Sequence, residues 1–227
     1  MFTNNRYIPI LFYHNVGNEK HKSFITIREF DRQMKFLKDR GCNTSSCDSL
    51  DSQSGNISIT FDDGYEDNLI NALPILKKYG FTATCFIVPN SIGKTNEWDI
   101  TQHKLMDKIQ IKEWIYEGMS IGSHSLSHLD LTIISIGDLR NEIESSKKYL
   151  EDYFQVSVDN FCYPFGKYNK NVINLVKLNG YKKAFTTNRG LYHINTSKPY
   201  EVKRVPISKN ISRFKFWLKT STIYENL

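Results

Sequence analysis

Short apolar runs and amphipathic stretches alternate along the chain, a pattern that predicts strands followed by helices. Residues 8–13 and 57–61 are apolar runs of the length that buried strands have. Between them, residues 27–40 carry apolar side chains three and four positions apart and end at a glycine, as amphipathic helices do. Further strands are predicted at residues 81–88, 119–123, within 158–166, at 181–187 and at 201–207, and further helices at residues 66–80, 104–118, 135–154, 169–180 and 212–220.

Strands that alternate with helices predict an α/β fold built from βα units around a parallel sheet. Seven such units make a barrel slightly short of the common eight-stranded form. No linker, internal repeat or low-complexity tract interrupts the series, so we expect residues 1–227 to form a single domain. In α/β barrels the ligand binds at the carboxyl ends of the strands, and the chemistry is expected there.

Acidic and imidazole side chains collect at those predicted strand ends. The second strand ends in Asp62 and Asp63, two adjacent like charges that are costly to bury unless something binds them. His14 follows the first strand, and His124 and His128 follow the fourth. The other strand-end candidates are the segment 163–166 after the fifth strand and Arg204 within the last.

The spacing of the two histidines in "IGSHSLSH" favours a metal site. Residues four apart can present both imidazoles on one side of a turn, a spacing that zinc uses when one segment supplies two ligands. A carboxylate from the Asp62–Asp63 pair would complete an open site, and the other carboxylate would act as a base. Such ligands suit Zn²⁺ without excluding Co²⁺, Ni²⁺ or Mn²⁺. The alternative interpretation is that the aspartates cap the following helix and the histidines are incidental.

Composition and charge argue against several other classes of protein. The formal net charge is +6, but the basic residues are dispersed and form no arm of the kind that binds nucleic acid. No window approaches the roughly 20 apolar residues of a membrane span. No signal peptide is recognisable, so we expect a cytoplasmic protein, with an exported enzyme lacking its leader as the alternative. The four cysteines do not show the spacing of a disulfide framework or a paired zinc site.

Three motifs in order, "TFDDGY" at 60–65, "SHSLSH" at 123–128 and "FCYPFG" at 161–166, resemble the polysaccharide deacetylase family. This is the NodB-homology group, also known as carbohydrate esterase family 4. The opening "ILFYHNV" is similar to the branch that de-N-acetylates poly-N-acetylglucosamine. The resemblance spans about residues 8–207 and implies a distorted (β/α)₇ barrel, a bound metal ion, and hydrolysis of an N-acetyl group on a sugar.

The resemblance also implies roles for individual residues. Asp62 matches the catalytic base, and Asp63, His124 and His128 match the metal ligands. The third motif lines the substrate groove, and a backbone N–H there, that of Phe165, is expected to help stabilise the oxyanion. The remaining groove positions of this motif are Tyr163, Pro164 and Gly166.

The chain departs from the family pattern in ways that leave two roles open. Cys162 stands where the family has an arginine that pairs with the catalytic aspartate, the Asp-x-x-Asp-Trp motif is not visible, and the late histidine that acts as general acid is missing. We expect His14 to bind substrate or donate the missing proton, or else to be an ordinary rim histidine. Arg204 is either the replacement partner of Asp62 in the groove or a structural arginine. Trp98 either stacks on a sugar ring or packs its loop.

Three functions are compatible with these residues. The first is a metal-dependent N-deacetylase acting on an N-acetylhexosamine-containing polysaccharide, oligosaccharide or glycan precursor. The second is a carbohydrate-binding pseudoenzyme on the same barrel, left inactive by the missing arginine and histidine. The third is an O-deacetylase or deformylase of a sugar, because esters and amides share the mechanism. The oligomeric state is not predicted by the sequence.

Overall fold

Seven parallel strands of the described chain close into a barrel, as the sequence predicts. The computed structural model describes residues 7–17, 24–52 and 55–226. The barrel order is β11-β2-β5-β6-β7-β8-β9, and helices follow most of its strands. The strands are β1 Tyr7–Ile8, β2 Ile10–Tyr13, β3 Asn15–Val16, β4 Phe24–Ile25, β5 Ser58–Phe61, β6 Thr84–Ile87, β7 Ser120–Ser123, β8 Asn160–Cys162, β9 Lys183–Arg189, β10 Tyr192–His193 and β11 Val202–Pro206. The α-helices are α1 Ile27–Asp39, α2 Leu73–Tyr79, α3 Lys108–Tyr116, α4 Ile136–Phe154, α5 Lys170–Leu178 and α6 Arg213–Ser221.

The barrel strands are buried on both faces, and this explains why their sequences are continuous runs of mostly apolar residues. Every residue of β2, β5 and β6 is buried, because one face meets the barrel interior and the other meets the helices. Helix α1 shows the complementary pattern: Phe30, Met34 and Leu37 are buried on one side. Thr26 and Glu29 form a capping box that starts this helix.

Three predicted boundaries are wrong, each for a local reason. The predicted strand at 8–13 is two strands, because Pro9 has no N–H to donate and Ile8 pairs with β10 instead of the barrel. The helix predicted from residue 104 begins at Lys108, since Asp107 caps it. The helix predicted at 66–80 begins as a π-helical turn, Asn68–Ala72, and becomes α-helical only at Leu73.

The two ends of the barrel differ in how they are closed. A 3₁₀ segment, Cys47–Ser52, covers the amino-terminal end of the strands, where Asp51 accepts a bond from Tyr192 and pairs with Lys183 at 2.7 Å. The carboxyl-terminal end carries the longer loops and holds a cleft. Among the described helices, none combines the length and apolar character needed to cross a membrane.

Candidate active site

A cleft of about 180 Å³ opens at the carboxyl-terminal end of the barrel, where the strand-end side chains meet. The predicted residues Asp62 and Asp63 reach it from the end of β5, and His124 and His128 reach it from the loop after β7. The cleft is lined by His14, Asp62, Asp63, Trp98, Asp99, His124, His128, Tyr163, Phe165, Gly166 and Thr187. Residues that lie far apart in the sequence are therefore brought together at one site.

Asp63 lies between the two imidazoles that the sequence pairs it with. Its Oδ1 atom is 3.3 Å from Nε2 of His124 and 3.3 Å from Nε2 of His128. All three side chains are buried, and each offers one donor atom within 4.8 Å of the others. The geometry is that of three ligands converging on one point.

The hydrogen bond on the far side of His124 fixes which nitrogen faces Asp63. Its Nδ1 atom lies 2.7 Å from the backbone oxygen of Cys162. A carbonyl oxygen can only accept, so Nδ1 carries the proton and a neutral ring presents a bare Nε2 to Asp63. A bare nitrogen and a carboxylate oxygen repel each other unless a positive charge lies between them. This donor set therefore fits a cation.

The distances fit a tetrahedral ion as well. Nitrogen and oxygen ligands bind zinc at about 2.0–2.2 Å, so two of them at a tetrahedral angle lie about 3.3–3.5 Å apart. The two Asp63–imidazole separations of 3.3 Å match this value. Three protein ligands leave the fourth position open, as in catalytic zinc sites.

The pKa shifts at these groups have opposing causes. Burial raises the pKa of Asp63, but the hydrogen bonds from His124 and His128 outweigh it and hold the pKa well below its usual range. Burial lowers the pKa of His128, and repulsion from a charged His124 lowers it further. Burial also disfavours the charged form of His124, yet the contacts with Cys162 and Asp63 outweigh it and raise its pKa well above the usual value. When no cation is bound, these contacts would hold a proton on Nε2 of His124, and a cation bound by Asp63 would take the place of that proton.

Asp62, the second carboxylate, has a separate partner. Its two oxygens accept hydrogen bonds of 2.7 Å from Nη1 and Nη2 of Arg204, a bidentate pair with both side chains buried. Burial raises the pKa of Asp62, but the charge and hydrogen bonds of Arg204 outweigh it and lower the pKa. The predicted pairing of Arg204 with Asp62 is therefore present in the structure. Asp62 stays ionised, and each oxygen keeps a further lone pair for a proton.

Cys162 contacts both His124 of the metal-ligand cluster and Arg204, the partner of Asp62. Its backbone oxygen orients His124, and its Sγ atom accepts a hydrogen bond from Nη2 of Arg204 at 3.2 Å. Arg204 also bonds Thr60 at 3.2 Å, and its guanidinium lies 4.3 Å from the centre of the Phe12 ring. A small thiol at position 162 leaves room for the guanidinium that arrives from β11.

Three residues of the site have left-handed backbone conformations, which non-glycine residues rarely adopt. The φ angles are 74° at Asp63, 57° at His128 and 57° at Phe165. A non-glycine residue in this conformation is strained by on the order of 1–3 kcal/mol. Such strained residues cluster at functional sites, where a side chain or backbone group must point in a particular direction. Gly166 follows with φ 69°, and a Cβ there would lie 1.9 Å from Oγ1 of Thr187, so this position accepts only glycine.

The other predicted residues divide into those that line the cleft and those behind it. Trp98 lines it and stacks on His128 with ring centres 4.2 Å apart, so its ring packs on a predicted metal ligand. Phe165 approaches the same imidazole edge-on at 4.6 Å. Pro164 and Arg204 are buried and are not among the residues that line the cleft, and their predicted contact with substrate stays a prediction.

Two residues of the cleft, Asp99 and Thr187, were not singled out by the sequence. Thr187 stands in β9, towards the carboxyl end of a predicted strand, and the strand-end rule applied to that strand would have found it. Asp99 lies in the long loop after β6, where only its position next to Trp98 gives a signal.

Comparisons with known proteins identify the family of the chain. The family model of polysaccharide deacetylases matches residues 50–184. The chain is 33% identical over 213 residues to the Bacillus subtilis protein named "Putative polysaccharide deacetylase YxkH", covering 90% of this chain and 73% of that one. It is 26% identical to the poly-beta-1,6-N-acetyl-D-glucosamine N-deacetylase of Staphylococcus aureus, covering 91% of this chain and 74% of that one.

Solved structures show the same fold. The deacetylase PplD of Streptococcus pyogenes, in complex with acetate, superposes with a TM-score of 0.83 at 26% identity, over 95% of this chain and 98% of that one. IcaB of Ammonifex degensii superposes with a TM-score of 0.81 at 20% identity, over 93% and 94% of the two chains. The fold is thus the (β/α)₇ barrel of the NodB-homology group.

The chain belongs to the polysaccharide deacetylase family, carbohydrate esterase family 4. It is a carbohydrate deacetylase that acts on an acetylated glycan.

Proposed function

We propose that the protein is a metal-dependent N-deacetylase that hydrolyses the N-acetyl group of N-acetylhexosamine units in a polysaccharide, oligosaccharide or glycan precursor. The observation that carries this proposal is that the adjacent carboxylates of Asp62 and Asp63 have different partners. The Oδ1 atom of Asp63 lies 3.3 Å from Nε2 of each of the two histidines, while the carboxylate of Asp62 forms an ion pair with Arg204. The Staphylococcus aureus relative, an N-deacetylase of poly-beta-1,6-N-acetyl-D-glucosamine by name, supports an N-acetylated hexosamine as substrate.

Asp63, His124 and His128 would hold the ion, with zinc favoured by the donor set and cobalt, nickel or manganese as alternatives. When bound, such a cation polarises an acyl oxygen and lowers the pKa of water towards neutrality. The second hydrogen bond of His124, to Cys162, fixes the ligand orientation in the way that outer partners of metal ligands do.

The chain's own groups supply the proton transfers. Asp62 accepts the proton of the attacking water, and Arg204 keeps this carboxylate ionised and correctly oriented. The backbone N–H of Phe165 donates to the oxyanion as the acyl carbon becomes tetrahedral. His14 donates a proton to the amine as the C–N bond breaks, so that the products are acetate and an amino sugar.

Acetate release from a panel of acetylated sugars tests this function. The panel holds N-acetylglucosamine oligosaccharides, their O-acetyl and N-formyl counterparts, and an N-acetylgalactosamine oligosaccharide, each with added Zn²⁺ or Co²⁺. We expect N-acetyl hydrolysis that falls at least 100-fold in Asp62→Asn, since the general base contributes about 10²–10⁴-fold. Asp152→Asn, an exposed aspartate of α4, serves as the matched control and should retain full activity.

Other outcomes on this panel assign a different function. Faster release from O-acetyl or N-formyl sugars would show an esterase or a deformylase using the same groups. Tight binding of every sugar without release would show a carbohydrate-binding pseudoenzyme.

A further inference from the structure

One charged side chain of the cleft has no part in the proposed mechanism. Asp99 lines the cleft beside the metal-ligand cluster, and it is half-buried. Among the described residues it has no hydrogen bond or ion pair, and its negative charge contributes to the raised pKa of the nearby Tyr65 hydroxyl. The other two cleft carboxylates are accounted for, because Asp62 is neutralised by Arg204 and Asp63 faces the two imidazoles.

Asp99 has no lysine or arginine beside it among the described residues that line the cleft, although the whole chain carries a net charge of +6. Two nearby lysines are engaged with other carboxylates: Lys167 pairs with Asp130 at 2.6 Å, and Lys104, at the base of the loop, pairs with Glu66 at 2.7 Å. Asp99 therefore presents a carboxylate with no lysine or arginine partner to the cleft in which the proposed reaction takes place.

The loop that carries Asp99 is anchored, so the carboxylate is held in place at the cleft. Thr95 and Lys104 form a backbone bridge across the base of this loop, and Asn96 accepts a hydrogen bond from the backbone of His103 at 2.5 Å. At its tip, Trp98 stacks on His128. These contacts fix the position of Asp99, which follows Trp98 in the chain.

The chemistry of deacetylation supplies the matching charge. Each turnover converts a neutral acetamide into a primary amine, and such amines are largely protonated at neutral pH, as α-amino groups with pKa values of about 7.7–8.0 are. A chain that has been partly processed thus carries ammonium groups beside its remaining acetamides. A carboxylate binds an ammonium by a charge-assisted hydrogen bond, which the neutral acetamide cannot form.

We propose that Asp99 binds the ammonium group of a de-N-acetylated hexosamine, so that the cleft recognises amino-sugar units next to the unit being hydrolysed. The inference rests on the proposed N-deacetylase function and extends it to the substrate class. Partly deacetylated glycans are bound more tightly than fully acetylated ones, and deacetylation proceeds preferentially beside units that are already free amines.

Binding of a fully de-N-acetylated glucosamine oligosaccharide tests the inference without requiring turnover. Calorimetry compares its Kd with that of the fully N-acetylated oligosaccharide for the zinc-loaded wild type, Asp99→Asn and the control Glu97→Gln. Glu97 is an exposed carboxylate of the same loop that does not line the cleft. We expect Asp99→Asn to weaken binding of the amine form about two- to fivefold more than that of the acetylated form, as for partly exposed ion pairs. Raising the salt concentration should remove this difference, and Glu97→Gln should not show it.

The same variants are then assayed on an oligosaccharide with one free amine beside an acetylated unit. We expect the ratio of its kcat/KM to that of the fully acetylated oligosaccharide to fall in Asp99→Asn alone. Equal weakening of both ligands would overturn the proposal, because Asp99 would then only shape the cleft. A lowered zinc content in Asp99→Asn would overturn it too, by assigning the carboxylate to the ion. Lack of acetate release from every substrate would refute the proposed function. The binding comparison needs no turnover and would still test whether Asp99 binds the ammonium group.

Discussion

At the scale of single residues, three buried side chains at the carboxyl-terminal end of the barrel form the centre of the site. Asp63, His124 and His128 could be assigned because strand ends converge and because the motifs resemble a known family, and the structure brings them within reach of one ion. The left-handed backbone at Asp63 and His128 could not be predicted, since the local sequence favours ordinary conformations there. Surrounding packing imposes these angles, and packing is a property of the assembled barrel.

His14 carries the prediction that is most specific at this scale. A group that protonates the leaving amine matters for amides but not for esters with a good leaving group, since a phenolate leaves without a proton. His14→Gln should therefore lower acetate release from an N-acetylated oligosaccharide about 100-fold, within the range for general acids, and change hydrolysis of 4-nitrophenyl acetate less than about threefold. Equal loss on both substrates, measured as kcat/KM, would assign His14 to substrate binding or to the structure of the cleft.

At the scale of elements, periodicity predicts which segments are helices, and caps decide where they begin. The sequence predicts the long helix from residue 135, and Ser135 caps α4 by accepting a hydrogen bond from the backbone N–H of Asp138. The start of α3 was misplaced because apolar residues continue upstream of its cap. Asp107 accepts from the backbone of Ile109 and Gln110 at 2.8 and 2.9 Å, and Gln110 accepts in return from Asp107.

Removing this cap should destabilise the protein by a predictable amount. Asp107→Ala leaves two backbone donors at the start of α3 without a partner and should lower the free energy of unfolding by about 1 kcal/mol. Asp107→Asn keeps an acceptor oxygen and should lose only a few tenths of that energy. Urea unfolding measures both. If the two variants were equally destabilised, the cap would not be the cause.

At the scale of the whole molecule, the site depends on closure of the barrel. Arg204 lies on β11, which pairs with β9 on one side and with β2 on the other. Its partner Asp62 is 142 residues earlier in the chain. Sequence alone could suggest this pairing as one of two possibilities but could not decide it, because the contact exists only when the last strand completes the ring. The polar cleft residue Asp99 was missed for a similar reason: its neighbours come from other loops.

The carboxyl-terminal segment packs on the barrel through a buried ionic cluster. Glu225 accepts from Lys219 at 2.7 Å and from Arg189 at 3.1 Å. Burial raises the pKa of Glu225, but these two hydrogen bonds outweigh it and lower the pKa. A carboxyl with a depressed pKa in the folded state adds stability above the unfolded value of about 4.3 and loses it as pH falls through the folded value.

Glu225→Gln should therefore be less stable than the wild type at pH 7, by about 1–3 kcal/mol for the loss of charged hydrogen bonds. The difference should shrink as the pH falls below about 4.3, the unfolded value, and through the lowered pKa of the folded state, because the wild-type carboxyl then takes up its proton. Urea unfolding at pH 7, 5, 4 and 3 measures it. A difference that stays constant across this range would show that Glu225 acts through packing and not through its charge.

The central claim is that one aspartate and two imidazoles hold a cation while the adjacent aspartate remains free to take a proton. Zinc titration of Asp62→Asn and Asp63→Asn, followed calorimetrically and by metal content, tests it most directly. The account predicts that wild type and Asp62→Asn each bind one zinc ion per chain and that Asp63→Asn binds it at least tenfold more weakly. Zinc-loaded Asp62→Asn should still release acetate at least 100-fold more slowly than the wild type. Zinc binding that survives in Asp63→Asn but is lost in Asp62→Asn would contradict it.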